Sequence, residues 1–151
     1  MSDNPFKLED FFHQTTLHVR FGDIDSLGHV NNAKYLTYIE QARICYARDI
    51  LGWDGSFNNL GMILASTTVD YKLPMQFGDT VRVLTRVSRI GSKSFDMLYV
   101  LKRDSDPTIF ATGSTVLVAY DYHADQSIRV PDEWREKILA FDTALRNAPA
   151  S

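Results

Sequence analysis

The sequence predicts an α+β fold in which one antiparallel sheet wraps around one long helix. Two observations carry this. A single segment, Asn32 to about Leu51, has helical periodicity with one apolar stripe, and most of the chain after it, to about residue 121, reads as strands joined by short turns. Connections that short make antiparallel neighbours, and a helix with one apolar stripe needs a sheet face to bury it. The 151 residues are expected to form a single domain over 1–151, with its core over about 14–122 and a C-terminal helix over about 131–146. A chain of this size can bury a substantial core.

Residues 15–22 (TTLHVRFG) alternate loosely and predict the first strand. In the helix that follows, Leu36, Ala47, Ile39, Tyr46, Tyr35, Ala42 and Ile50 share one stripe when placed at about 100° per residue. Only Arg43 interrupts it, and Lys34, Thr37, Gln41 and Arg48 lie opposite. Gly52 is the helix stop. After the loop WDGSFNNLG, residues 53–61, the stretch MILASTTVDYKL predicts a strand ending at Pro74, and MQFGD a turn. In TVRVLTRVSRI the alternation sets Val81, Val83 and Val87 on one face and Arg82, Arg86 and Ser88 on the other. IGSKS is a hairpin turn. SFDMLYVLK puts Phe95, Met97, Tyr99 and Leu101 on one face, and DSDP turns again. The long apolar run TIFATGSTVLVAYD suits a central strand covered on both faces, with Gly113 as a candidate bulge. The last helix begins near Pro131, a residue suited to a first helical position.

Composition narrows the function classes. Apolar residues make up 44% and charged residues 23%, as in globular domains. A net charge of −3 argues against a protein that binds nucleic acid by neutralising phosphates. No apolar run approaches the roughly 18 residues of a membrane span, so no membrane insertion is expected. The single cysteine, Cys45, cannot form an internal disulfide, and the first residues lack the pattern of a secretory signal. The expected setting is the cytoplasm.

The stretch RFGDIDSLGHVNNAKY, residues 20–35, is too polar to pass as a plain connection. It begins like a calcium loop, with Asp23 and Asp25 at positions 1 and 3 and Gly28 at position 6. Leu27 and Lys34 then stand where an oxygen ligand and a bidentate glutamate are required. Asp23, Asp25 and His29 are conceivable transition-metal ligands, but the other histidines, His13, His18 and His123, sit at no ligand spacing to them. No metal is expected. A capped turn accounts for part of the stretch: Gly28 permits a positive φ, and Asn31 or Asn32 caps the helix. A functional site accounts for more. A helix N-terminus offers unsatisfied N–H groups and partial positive charge to a developing oxyanion, and a carboxylate beside it attacks a carbonyl or activates a water.

At this point RFGDIDSLGHVNNAKYLTYIEQAR resembles the signature of hotdog-fold acyl-CoA thioesterases of the 4-hydroxybenzoyl-CoA thioesterase family. VDYKLPMQFGDTVRV, RIGSKSF and ATGSTVLVAYD follow in that family's order, so the resemblance spans roughly residues 14–122. It implies a curved antiparallel sheet around a central helix, a homodimer joined edge to edge that often pairs again into a tetramer, and an active site at the subunit interface. It implies an acyl-CoA substrate whose coenzyme A is part of the substrate, with no further cofactor. By position in the motif Asp25 is the nucleophile or general base, and N–H groups from Gly28 to Val30 polarise the thioester, with His29 the preferred donor. The HVNN run also resembles plant acyl-carrier-protein thioesterases. Their asparagine two residues after the aspartate is Leu27 here, so only the histidine of that arrangement, His29, is retained.

Other residues have two readings each. Asp23 orders the turn rather than reacting. The His29 side chain either bonds backbone or takes part in catalysis. Asn31 and Asn32 are caps or substrate contacts, and Tyr35 is core or lines an acyl pocket. Ser66, Thr67 and Thr68 form a polar patch in an apolar strand, from which one hydroxyl is expected to position water. Cys45 falls on the polar side of the helix and is not read as a nucleophile. Six basic residues against one acid between Val81 and Arg103 are either a site for coenzyme A phosphates or solvated strand faces. The competing functions are a hotdog module that binds acyl thioesters without turning them over, and a dehydratase, whose histidine–acid motif is not seen.

Overall fold

The computed structural model describes residues 4–56 and 60–146. Part of the expected loop 53–61 therefore lies outside the described residues. The elements are β1 (His13–His18), α1 (Asn32–Asp49), β2 (Met62–Tyr71), β3 (Thr80–Ile90), β4 (Ser94–Arg103), β5 (Ile109–Asp121), β6 (Gln126–Ser127), α2 (Asp132–Phe141) and α3 (Thr143–Arg146). The main sheet runs β1-β3-β4-β5-β2, with every neighbour antiparallel. It curls around α1, as the α+β hotdog expectation requires. No helix among the described residues is long and apolar enough to cross a membrane.

The strand order corrects one expectation. β3, β4 and β5 form the meander, but β2 pairs with β5 rather than with β3. The segment after Tyr71 is therefore not a hairpin turn. It crosses the end of the sheet, buries Met75 completely and receives the Val30 N–H on the Met75 carbonyl at 2.9 Å. A buried methionine and a remote backbone partner hold it in place of the local pairing a hairpin would use. β1 is also shorter at its C-terminal end than expected: Arg20 begins a 3-10 turn over Phe21–Asp23.

Along the sheet's concave face Val81, Val83, Val87, Phe95, Met97, Tyr99 and Leu101 are buried against Tyr35, Ile39, Ala42 and Tyr46 of α1. The opposite face is not open. Phe6 and Phe11 of the N-terminal segment cover Leu84, Leu98 and Val100. Arg86, expected to face solvent, is only 8% exposed. Its guanidinium lies 5.5 Å from the Phe11 ring centre and donates to the Pro5 carbonyl. A β-bulge between Val87 and Arg89 also breaks the alternation that expectation assumed.

Gly113 is paired without a register shift on both sides, so it is not a bulge. It is where a helix side chain leaves no room for a methyl: a Cβ there would lie 3.0 Å from Ile39 Cδ1. Leu36, placed on the buried stripe by the wheel, is 44% exposed, because the sheet ends at β2 on that side. Pro131 caps α2 rather than opening it, and α2 breaks at Asp142. That aspartate is fully buried, accepting the Tyr46 hydroxyl at 2.5 Å and the Val87 N–H of the bulge at 2.9 Å.

Candidate active site

The polar stretch folds as a tight turn held against the helix start. Ile24 and Val30 form an antiparallel bridge. Inside it the Asp25 N–H donates to the His29 carbonyl, and the Gly28 N–H to the Asp25 carbonyl, each at 3.0 Å. Gly28 has φ +84°, the left-handed conformation that a side chain would strain. Asp25 Oδ1 accepts the Leu27 N–H at 2.9 Å, a local bond typical of aspartate in turns. Asp25 Oδ2 has no hydrogen-bond partner among the described residues.

Asn31, not Asn32, is the helix cap, its side chain accepting the Ala33 N–H at 2.8 Å. The Lys34 N–H goes to the Asn31 carbonyl. The Asn32 N–H, at the first helical position, has no acceptor among the described residues. Of the donors expected from Gly28 to Val30, Gly28 and Val30 are already spent on Asp25 and Met75 carbonyls. That corrects the place of Gly28: it shapes the turn and does not supply a free N–H. The His29 N–H remains unspent, and the His29 ring makes no hydrogen bond among the described residues.

Asp25, His29, Asn32 and Tyr35 line one cavity of about 270 Å³. Asp25 thus lines the same space as the start of a helix whose N-terminus carries about half a positive charge. Such a pair is able to stabilise an oxyanion and to attack, or activate water against, the carbonyl that becomes one.

The far wall of the cavity was not read from the sequence. Tyr71, Lys72, Leu73 and Pro74, where β2 leaves the sheet, complete it. The Tyr71 hydroxyl donates to the Asn32 carbonyl at 3.1 Å, and its ring stands edge-on to Tyr35 at 4.9 Å. The Tyr35 hydroxyl accepts the Met75 N–H at 3.2 Å and donates to the Leu73 carbonyl. Burial pushes the Tyr35 phenol up, so it stays neutral and serves as a wall and anchor. The one sequence signal for this wall was the Pro74 break, which marked where a strand ended and not what it faced.

Ser66, Thr67 and Thr68 do not join this group. They lie exposed on the edge strand β2, and Thr67 lines a separate cavity of about 240 Å³ with Glu40 and Arg43. Half of the basic run is paired with carboxylates. Arg82 pairs with Asp104, Arg89 with Asp96 at 3.0 Å, and Arg103 with Asp79 at 3.2 Å and Asp106 at 3.1 Å. Cys45 is a half-buried free thiol. No cluster of three or more metal-ligating side chains occurs among the described residues.

Comparison with known proteins agrees with this architecture. Residues 19–138 match the thioesterase-like superfamily. A thioesterase from Thermus thermophilus, solved in complex with coenzyme A and zinc, is 33% identical, with a TM-score of 0.79 over 94% of this chain and 99% of that one. The long-chain acyl-CoA thioesterase FadM of Escherichia coli is 24% identical over 83% of this chain and 96% of its own. The chloroplastic acyl-acyl carrier protein thioesterase ATL3 of Arabidopsis thaliana is 26% identical over 86% and 69%. A family match across most of the chain, on a curled sheet around a central helix, places this protein in the thioesterase-like superfamily of hotdog-fold proteins.

Proposed function

We propose that the protein is an acyl-CoA thioesterase, hydrolysing an acyl or aroyl thioester to a free acid and coenzyme A. The observation that carries this reading is that Asp25, whose Oδ2 has no hydrogen-bond partner among the described residues, lines one cavity with Asn32 at the start of the helix. The thioester oxygen sits at the helix start, where the Asn32 N–H, with the His29 N–H beside it, stabilises the charge that develops on it. Asp25 then acts on the carbonyl carbon in one of two ways. As nucleophile it forms a mixed anhydride and expels the coenzyme A thiolate, which takes a proton from solvent, and water cleaves the anhydride. As general base it takes a proton from the water that attacks. The reaction as drawn needs only protein groups and water.

Coenzyme A as the leaving part is supported by the relative solved with it and by the acyl-CoA thioesterase among the similar proteins. A homodimer, pairing further into a dimer of dimers, belongs to the same reading. Its support is β2, a 10-residue edge strand left almost wholly exposed, with Ile63 and Leu64 on it. Long exposed edges of this kind invite strand addition. Sedimentation at micromolar concentration is expected to give at least a dimer, and a monomer would refute that part.

The test is thiol release from short, long and aromatic acyl-CoAs, with wild type, Asp25→Asn and Asp25→Ala side by side. Asparagine keeps an oxygen for the Leu27 N–H, so the turn survives and only the chemistry is lost. A fall in kcat of at least about 100-fold is expected for Asp25→Asn, and no smaller one for alanine. Activity of Asp25→Asn within tenfold of wild type would remove Asp25 as the reactive group. Absence of release from every substrate would instead support a binding module.

A further inference from the structure

The turn that carries Asp25 is tied to the body of α1 by a buried pair that does not line the cavity, Asp23 and Tyr38. Asp23 is 1% exposed. Its Oδ2 accepts the Tyr38 hydroxyl at 2.6 Å and the Arg20 N–H at 3.1 Å, while its carbonyl accepts the Asn31 N–H at 2.9 Å. One residue therefore grips both ends of segment 20–31, and its carboxylate grips the helix as well. Neither nearby cation does this work at close range. The Arg20 guanidinium is 3.4 Å away on a side chain that is 73% exposed, and Lys34 Nζ is at 3.9 Å. The short bond from Tyr38, itself 4% exposed, is the one made wholly in the interior. Burial pushes the Asp23 carboxyl up, but the Tyr38 hydroxyl and then the Arg20 amide and guanidinium more than offset it. The group stays ionised, and an ionised acceptor makes the stronger bonds.

The geometry of the proposed reaction depends on this link. Asp25 rides on the turn, whereas the Asn32 N–H rides on the helix, and Asp23 joins the two. We infer that Tyr38, acting through Asp23, is a positioning residue that holds the Asp25 carboxylate at its working distance from the helix N-terminus. This rests on the assignment of Asp25 and Asn32 made above. Misplacing reacting groups by about 1 Å costs on the order of 100-fold in rate.

Tyr38→Phe removes the hydroxyl and keeps the ring that fills the core. It is expected to lower kcat by about 10- to 100-fold with KM changed less than threefold. Without the phenol, burial is opposed by fewer bonds and the folded Asp23 pKa rises, so the acid limb of kcat moves to higher pH. Exchange of the Asp25 and Asn31 amides is expected to quicken at least tenfold, with β3 and β4 amides unchanged. Asp23→Asn is expected to reproduce the kcat loss, and the double variant to add little to it. A Tyr38→Phe enzyme with kcat within twofold, an unmoved acid limb and unchanged exchange would overturn the inference, even if Asp25→Asn is inactive. If wild type hydrolyses no thioester, the proposed function falls, and the exchange rates alone decide whether Tyr38 holds the turn. Should Tyr38→Phe fail to fold, Asp23→Asn is read in the same way.

Discussion

Replacing Asp142 by alanine removes the acceptor of two buried donors at once. The Val87 N–H belongs to the β3 bulge, so no ladder partner stands ready for it, and the Tyr46 hydroxyl is enclosed between α1 and the sheet. Each abandoned buried donor costs about 1–3 kcal/mol. Part of this is offset because the buried carboxylate is itself unfavourable: burial pushes the Asp142 carboxyl up, against the pull of the Tyr46 and Val87 bonds and of nearby Arg86 and His13. A net loss of roughly 2–4 kcal/mol follows where the carboxyl is ionised, and a larger one at low pH. At about 2–4 °C per kcal/mol for a chain near this length, Tm falls by about 4–16 °C. Asparagine, which keeps one oxygen for both donors, is expected to lose much less. The pH dependence has a fixed sign. Because the folded pKa is raised, the stability Asp142 contributes is complete below its unfolded value of 3.8 and is lost as pH rises through the folded value. The difference between wild type and Asp142→Ala therefore shrinks from pH 4 to pH 7. Urea unfolding of both proteins at several pH values measures it, and a difference that widens with pH would refute the reasoning.

Two further outcomes follow from the helix. Asn31→Ala deletes the cap on the Ala33 N–H and is expected to cost about 1 kcal/mol, or about 2–4 °C in Tm, which calorimetry reads directly. Gly113→Ala drives a methyl to 3.0 Å from Ile39 Cδ1 and 3.3 Å from the Thr68 carbonyl, an overpacking expected to cost about 1–3 kcal/mol in urea melts. Ile39→Val, which removes that Cδ1, is expected to recover part of the loss, and no recovery would show that the clash is with Thr68.

Much of the fold was legible because its signals are local. The helix was read to within two residues of Asn32–Asp49, since its stripe and its cap are set by neighbours in sequence. Val81, Val83, Phe95, Met97, Tyr99 and Leu101 were placed inward by period-two alternation, and all are buried. What failed was non-local. Pairing of β2 with β5 joins strands far apart in sequence, and no local pattern encodes that. Arg86 was read as exposed because nothing in β3 announces that Pro5 and Phe11 lie across it.

The same division runs through the candidate site. The chain by itself determined that Asp25, His29 and the asparagines stand together before a helix N-terminus, because turn chemistry and capping depend on residues a few positions apart. Which N–H groups stay free is decided partly within the turn and partly by the tertiary structure. Gly28 and Val30 lose theirs to Asp25 and to the distant Met75, which leaves Asn32 and His29. The tertiary structure alone decided that Tyr71 and Lys72 rather than Ser66 to Thr68 face Asp25. A hydrogen-bond donor is available only when no other acceptor has reached it. For Val30 that depends on how a chain segment some 40 residues away crosses the sheet, which no spacing within the motif records.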